Sequence, residues 1–501
     1  MEMAKIIPSA DPSSHKHPYT PHTCARQTHG LYVLSIMASF SDAPREVIDQ
    51  ILKHLPRSSL PIVCLVSRSL RRCAEPFLYS TVSLEWGEWD FETFPPIAPL
   101  LATLVRRPEL FKHLDVVILG GMMQQRARVP PMDTSNVPVD EFEAAIRKAK
   151  ISFSDMWVEK LKSVHTCIYA LAALLIAHLS RTTHLTITTP WINGQPLVGK
   201  VIQAKIFSGQ LPQFERLKHL KYLKRRDLTL KNNRVFGETI SLFYLPTVTH
   251  LEVIMTNPKS FQWPVAAGEP NFSHLTSLKI GWLCEPFLAK ILAVARNLES
   301  LEWSWEHHGP PHSSDPNIMD FDKITETLQP LKDTLKSFSY TMNLGEEGEL
   351  MDSPAMPVQG NFRHLRNFTR LTHLEVPLTP RSETDSTPLA LADFAPESVE
   401  VLTLSGAALN IEWCRGGWAD DDDFKFDDFL PLIQAVADDR PARLARLRSV
   451  VILDDESGFT RRGIGDVRRQ IGDRIQKLDL GFEIRFKPKA SIAAKENHNY
   501  T

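Results

Sequence analysis

Apolar positions along this chain keep two rhythms. Between Ala43 and Leu84 they recur every three or four residues, and Val47, Ile48, Ile51, Leu52 and Leu55 predict one face of a helix. Pro44 suits the first helical position, where a missing N–H is harmless, and Glu46 sits well against the helix's positive end. Pro56 ends that helix, and Ser58 or Ser59 is placed to cap the next. The second segment, Leu60-Pro61-Ile62-Val63-Cys64-Leu65-Val66-Ser67-Arg68, is apolar on most sides. A third stretch, Ser69 to Tyr79, starts basic at Arg71 and Arg72 and closes on Glu75-Pro76-Phe77-Leu78-Tyr79. Three short helices in about 40 residues bury little among themselves, so part of this surface rests on a partner chain or on the rest of the protein.

The second rhythm begins near residue 97. It is an apolar helical stretch, a short break, then hydrophobic-x-x-hydrophobic-x-hydrophobic. Ile97 to Val105 lead into Phe111–Val116, Val164 to Leu179 into Thr183–Ile187, and Phe287 to Arg296 into Leu298–Trp303. Phe321 to Leu331 lead into Leu335–Tyr340, and Phe429 to Ala437 into Leu447–Ile452. Strand-only members are Val248–Val253, Leu275–Ile280, Leu371–Val376 and Val399–Leu404. The last two apolar places of each unit point inward from a strand while the first anchors its approach. One such unit cannot bury its own face, so units stack. The stretches Met122 to Val139, Asn257 to Asn271, His307 to Asp320, Gly345 to Gly360, Thr379 to Thr387 and Gly406 to Asp423 read as loops. Such excursions collect on the rims of stacked units and often bind.

Composition narrows the class. The chain has 501 residues, 43% apolar, 9% aromatic and 23% charged, as in an ordinary globular protein. A formal charge of -2 offers no basic surplus for nucleic acid. Six scattered cysteines without a C-x-x-C pair argue against a disulfide framework or a cysteine-rich zinc module, and for an intracellular, reducing location. Val164 to Leu179, interrupted by His165, Thr166 and His178, falls short of a membrane span and predicts a buried helix. Residues 1–40 are expected to be a disordered leader, with Met37 as an alternative start to Met1; residues 486–501 are expected to be a flexible tail.

The string from Ala43 to Leu84 resembles an F-box, in particular that of fungal F-box proteins. The family pattern is held here by Pro44, Glu46, Val47, Ile48, Ile51, Leu52, Leu55, Ser59, Leu60, Leu65, Val66, Ser67, Arg68, Pro76, Leu78 and Tyr79. Ala43 stands where the family usually has Leu, and Pro61 enters the second helix early, which a first turn tolerates. The resemblance implies a three-helix docking module, residues 41–84, for the adaptor subunit of SCF-type cullin–RING ubiquitin ligases. Carried over residue by residue, it names Pro44, Ile48, Ile51, Leu52, Leu60, Leu65 and Val66 as adaptor contacts. Others of this apolar set pack inward, and the pattern alone does not sort the two groups.

Residues 97–485 resemble the degenerate leucine-rich-repeat domain that commonly follows an F-box, which implies an irregular α/β solenoid. The strand intervals are uneven against the about 20 to 29 residues of a regular repeat, and the usual Asn after the strand is missing in most units. The rival fold is a non-repeating α/β sheet.

No constellation for catalysis stands out. Asp420–Asp423, with Asp427 and Asp428, lack the turn glycines and alternate spacing of a calcium loop. His307, His308 and His312 near Asp315 are separated by Gly309-Pro310-Pro311, which prevents helical pairing on a metal. The arginines Arg461, Arg462, Arg468, Arg469 and Arg474 are balanced by Asp466 and Asp473, and Gly463-Ile464-Gly465 lacks a third glycine. Trp86, Trp89, Trp303 and Trp305 read as packing. The chain therefore reads as a non-enzymatic subunit without cofactor or metal. Its expected partners are the SCF adaptor, through it a cullin, and an unknown target protein; no nucleic acid or membrane partner is expected. An interaction scaffold whose F-box-like helices merely cap the solenoid is the alternative.

Overall fold

The computed structural model describes residues 43–86, 94–121, 131–192, 196–224, 234–255, 257–258, 260–264, 267–306, 319–343, 358–360, 362–377, 394–405, 443–454 and 483–488. Three helices come first: α1 (Arg45–His54), α2 (Leu60–Val66) and α3 (Arg68–Leu78). Pro44 lies one place before α1 rather than at its first helical position, and its carbonyl accepts the N–H groups of Val47 and Ile48. Ser59 precedes α2 without a side-chain cap, and Pro61 falls in the first turn, where its missing N–H costs nothing. Ser67 caps α3, its hydroxyl accepting from the Leu70 N–H at 3.1 Å.

The rest is one long sheet. Its strands are β1 (Thr81–Trp86), β2 (Val116–Gly121), β3 (His184–Thr188), β4 (His219–Leu223), β5 (His250–Ile254), β6 (Ser277–Gly281) and β7 (Ser300–Glu306). They continue, past the two-residue β8 (Met319–Asp320), with β9 (Ser337–Asn343), then, past β10 (Val358–Gln359), with β11 (His373–Pro377), β12 (Val401–Ser405), β13 (Ser449–Asp454) and β14 (Glu483–Pro488). The strands of the long sheet lie in chain order and every pairing is parallel, while β8 and β10 pair with each other. Entry to each strand follows one rule. The carbonyl just before a strand accepts two N–H groups of the next: Lys218 O takes Thr249 and His250, Thr276 O takes Glu299 and Ser300, and Lys336 O takes Thr372 and His373.

The expected inward pairs Leu185/Ile187, Leu251/Val253, Leu278/Ile280, Leu301/Trp303, Phe338/Tyr340, Leu374/Val376 and Leu402/Leu404 are all buried, as are anchors such as Leu298, Leu335 and Val399. Helices α4 (Ile97–Arg106), α5 (Val139–Lys148), α6 (Ser154–Lys162), α7 (Cys167–His178), α8 (Leu197–Phe207), α9 (Arg234–Ile240), α10 (Glu285–Leu292) and α11 (Phe321–Thr327) complete the described elements. Side chains of α4, α7, α8 and α10 share the core with these strand residues. Every residue of α7 from Cys167 to Ala177 is buried, and no described helix is long and apolar enough to cross a membrane.

Four expectations change. Thr81–Trp86, grouped with the N-terminal module on pattern, pairs with β2 and is the first strand of the sheet. Phe111–His113 closes a 3-10 turn, so the buried trio of β2 is Leu114, Val117 and Leu119 rather than Phe111, Leu114 and Val116. His219–Leu223 is a strand the pattern search passed over, although Leu217, Leu220 and Tyr222 keep the same spacing and are buried. Residues 486–488 belong to β14, not to a tail. The leader, the acidic run at 420–428, the histidines at 307–312 and the arginines at 461–474 lie outside the described residues.

One buried cation ties two helices together. Lys205 of α8 donates to the carbonyls of Ala177 at 3.0 Å and Leu179 at 2.7 Å, at the C-terminal end of α7, and to that of Pro212. Its ammonium also stands 4.5 Å from the centre of the Phe214 ring. The ammonium satisfies carbonyls that a helix end leaves without partners. Lys205→Ala is expected to lower the unfolding free energy by about 3 kcal/mol, through unpaired carbonyls and a cavity. Exposed Lys200→Ala on the same helix is expected to change it by less than about 1 kcal/mol, and urea denaturation of both variants checks the pair.

Candidate docking site

The three N-terminal helices enclose a small core of their own: Ile48, Leu52, Leu60, Cys64, Leu70, Cys73 and Ala74. Spacing decides which side chains enter it. Ile48 and Leu52 stand one turn apart on α1, Leu60 and Cys64 one turn apart on α2, and Leu70, Cys73 and Ala74 share a face of α3. The opposite stripes stay outside. Ile62, Leu65 and Val66 of α2 are 66%, 62% and 67% exposed, and Val47 and Ile51 of α1 are 48% and 40% exposed. A seven-residue helix that is apolar all round has thus filled only its inner side.

This divides the expected adaptor contacts. Pro44, Ile51, Leu65 and Val66 are exposed. Ile48, Leu52 and Leu60, at 4%, 1% and 2% exposed, are instead buried in the small core. Ile62, which the family pattern did not single out, belongs to the exposed stripe. Its position two residues after buried Leu60 on a helix carries the signal, since residues two apart point to different sides.

The helices are fastened to the sheet. Tyr79 and Ser80 alone separate α3 from β1, and the Ser80 carbonyl accepts from both Asp115 and Val116 at the start of β2. Glu75 of α3 takes a two-pronged bond from Arg107, at 2.6 and 2.8 Å, ahead of the 3-10 turn that leads to β2. That bond holds the Glu75 carboxyl below its ordinary range. Arg57 donates to the backbone carbonyl of Thr81, the first residue of β1.

A second surface lies on the sheet. One face packs against the helices that lie between the strands; the other presents alternate strand residues, for the most part half-buried or exposed from β3 to β11, with Ser449 and Val451 of β13 buried. In-register pairing turns these residues into rows. His184, His219 and His250 stack with ring centres 4.2 Å apart at each step. Two residues along, Lys221, Glu252, Lys279 and Glu302 alternate in sign, with contacts of 3.6, 3.6 and 2.7 Å. Burial and the flanking imidazoles push His219 down to about 4, and burial also lowers His250. No group of three or more His, Cys, Asp and Glu among the described residues is arranged to hold a metal ion.

Residues 42–77 match the F-box domain family, the span of the three helices and their exposed stripe. F-box domains in general bind the adaptor subunit of SCF-type E3 ubiquitin ligases. No curated protein matches the chain.

The histidine row has a proton-linked consequence. A histidine whose pKa is depressed by folding is neutral in the folded chain while its unfolded counterpart takes up a proton near 6.5. The stability it carries is complete above that value and is lost as the pH falls toward about 4. His219→Gln is expected to flatten the decline of melting temperature between those limits relative to the unaltered chain. Thermal melts across the window measure it.

Proposed function

We infer that this chain is a non-catalytic, intracellular substrate-recognition subunit of an SCF-type ubiquitin ligase. The exposed stripe of α1 and α2 docks the adaptor, which connects the chain to a cullin. The sheet domain, taken as a degenerate leucine-rich-repeat solenoid, holds a target protein on its open face. Ubiquitin chemistry then resides in other subunits, and no catalytic residue is required here.

One observation carries the docking half: Ile62, Leu65 and Val66 lie bare on a helix whose other side is already packed. Exposed aliphatic side chains in one stripe mark an interaction surface rather than a monomer's ordinary exterior. Helix-to-helix contact through a few such anchors is the physical form expected. Strands in chain order, one repeated entry hydrogen bond and a buried anchor before most of the strands support the stacked-repeat reading. The scaffold alternative draws on the Glu75–Arg107 bond, which lets the helices cap the first strand. A cap alone leaves the outer stripe of α2 without a purpose.

Ile62→Asp with Leu65→Asp is expected to weaken capture by purified SCF adaptor by more than about a hundredfold, each anchor contributing 2 kcal/mol or more. Circular dichroism and the melting temperature are expected to hold, because both side chains are already in water. Capture at full strength overturns the reading. Leu52→Asp is not an equivalent test, since it places a carboxylate inside the small core and unfolds the module.

A further inference from the structure

The chain contains Thr-His-Leu-Glu-Val twice, at 249–253 and 372–376, on β5 and β11. In both copies the threonine hydroxyl donates to the carbonyl before the preceding strand, Thr249 to Lys218 at 3.2 Å and Thr372 to Lys336 at 3.1 Å. With its proton so committed, each hydroxyl accepts from Nδ1 of the next residue, His250 at 2.8 Å and His373 at 2.9 Å. Both rings are thereby fixed in orientation. The inner face of His250 is covered by His219, which His184 covers in turn. On its other side the same register holds Ser277, then Ser300 and Ser337, before His373. Three small side chains leave the row without a further ring among the described residues for three strands, and His250 is exposed. Neighbouring strands stand about 4.8 Å apart, a spacing at which planar groups stack.

We propose that the target protein inserts an aromatic side chain above Ser277, stacked on the outer face of His250 as the next member of the histidine row. Local charge selects a ring over a planar cation. Lys279, two residues along β6 on the same face, is held by Glu302 at 2.7 Å and Glu252 at 3.6 Å, and Glu252 also faces Lys221. An arriving guanidinium meets that ammonium, and both nearby carboxylates already have lysine partners. A ring face instead attracts the ammonium. The middle ring adds no competing charge at neutral pH, since burial and the flanking imidazoles push His219 down to about 4. This inference rests on the proposal that the open face receives the target; it names the group that the face recognises.

The test is selection of a random dodecapeptide display library on the full-length chain. Recovered peptides are expected to share a Tyr, Trp or Phe whose replacement by Ala weakens binding about tenfold, the combined effect of stacking and burial. Ser277→Trp, which fills the position from within, is expected to weaken the same peptides by a similar factor; Ser277→Ala leaves them unchanged. His250→Ala, which removes the platform without adding bulk, gives the same loss and covers a folding defect in Ser277→Trp. Recovery of no binder, or of basic or aliphatic peptides indifferent to Ser277→Trp, overturns the proposal. Adaptor capture by the unaltered chain, measured in parallel, separates this outcome from the ligase reading: its absence sinks that reading while aromatic peptides still report on the row.

Discussion

Register is the constraint on which this architecture depends. Along the long sheet each strand meets its neighbour in parallel without a slip, and from β2 to β13 one carbonyl at each entry accepts two N–H groups from the following strand of that sheet. A shift of one residue at any step sends the leucine column onto the open face and charged side chains into the core. The helices on the other side make that shift prohibitive, because the side chains that α7 and α8 bury are apolar almost throughout, Tyr169 and Lys205 apart. Registry held for the sake of the core then has a secondary effect. Side chains on the opposite face stand in rows as regular as the buried ones, though no described helix packs on them. A histidine stack and an alternating lysine–glutamate row are products of that regularity.

The same constraint fixes where the N-terminal helices sit. Two residues join α3 to β1, too few to act as a flexible linker, and Glu75–Arg107 closes the angle from the side. A partly exposed ion pair of this kind contributes on the order of 1 kcal/mol, so the short connection does most of the holding and the pair sets direction. On the proposed reading, the adaptor face and the target face therefore keep a fixed separation. A target bound on the sheet is carried at a set place relative to the ligase, with no hinge between.

Much of this was legible in the sequence because both rhythms are simple. Hydrophobic-x-x-hydrophobic-x-hydrophobic names an anchor and two inward residues, and burial follows it at Leu298, Leu301 and Trp303 and at Val399, Leu402 and Leu404. It failed where the pattern was hidden. Tyr79, Val82 and Leu84 obey it, but they follow a helical module closely enough to be absorbed by it. β14 has Gly481 at the anchor place, so no trio announces the strand. The docking residues were half legible. A family pattern names positions that matter without saying whether they matter to the core or to a partner, and Ile48, Leu52 and Leu60 matter to the core. Sorting them needs the phase of each helix against its neighbours, which only packing supplies. Rows across the sheet are illegible in principle from one strand, because His184, His219 and His250 lie far apart in the chain and meet only through register.

The bare stripe on α2 is also a consequence of geometry rather than a lapse in it. Leu60 and Cys64 draw one side of a seven-residue helix into the small core, and Ile62, Leu65 and Val66 are then turned outward from it and left largely exposed. Polar replacements there leave folding unaffected, since these side chains are in water either way. Each fully buried aliphatic contributes about 1.5–3 kcal/mol only once something covers it. Arg68 and Arg72 of α3 are exposed, and Arg71 bonds back to the Cys64 carbonyl at 3.1 Å. An apolar centre with a charged border is how protein interfaces are commonly composed, with water excluded from the middle and partner choice made at the edge. The stripe thus adds nothing to the stability of the isolated chain and gains its value in a complex.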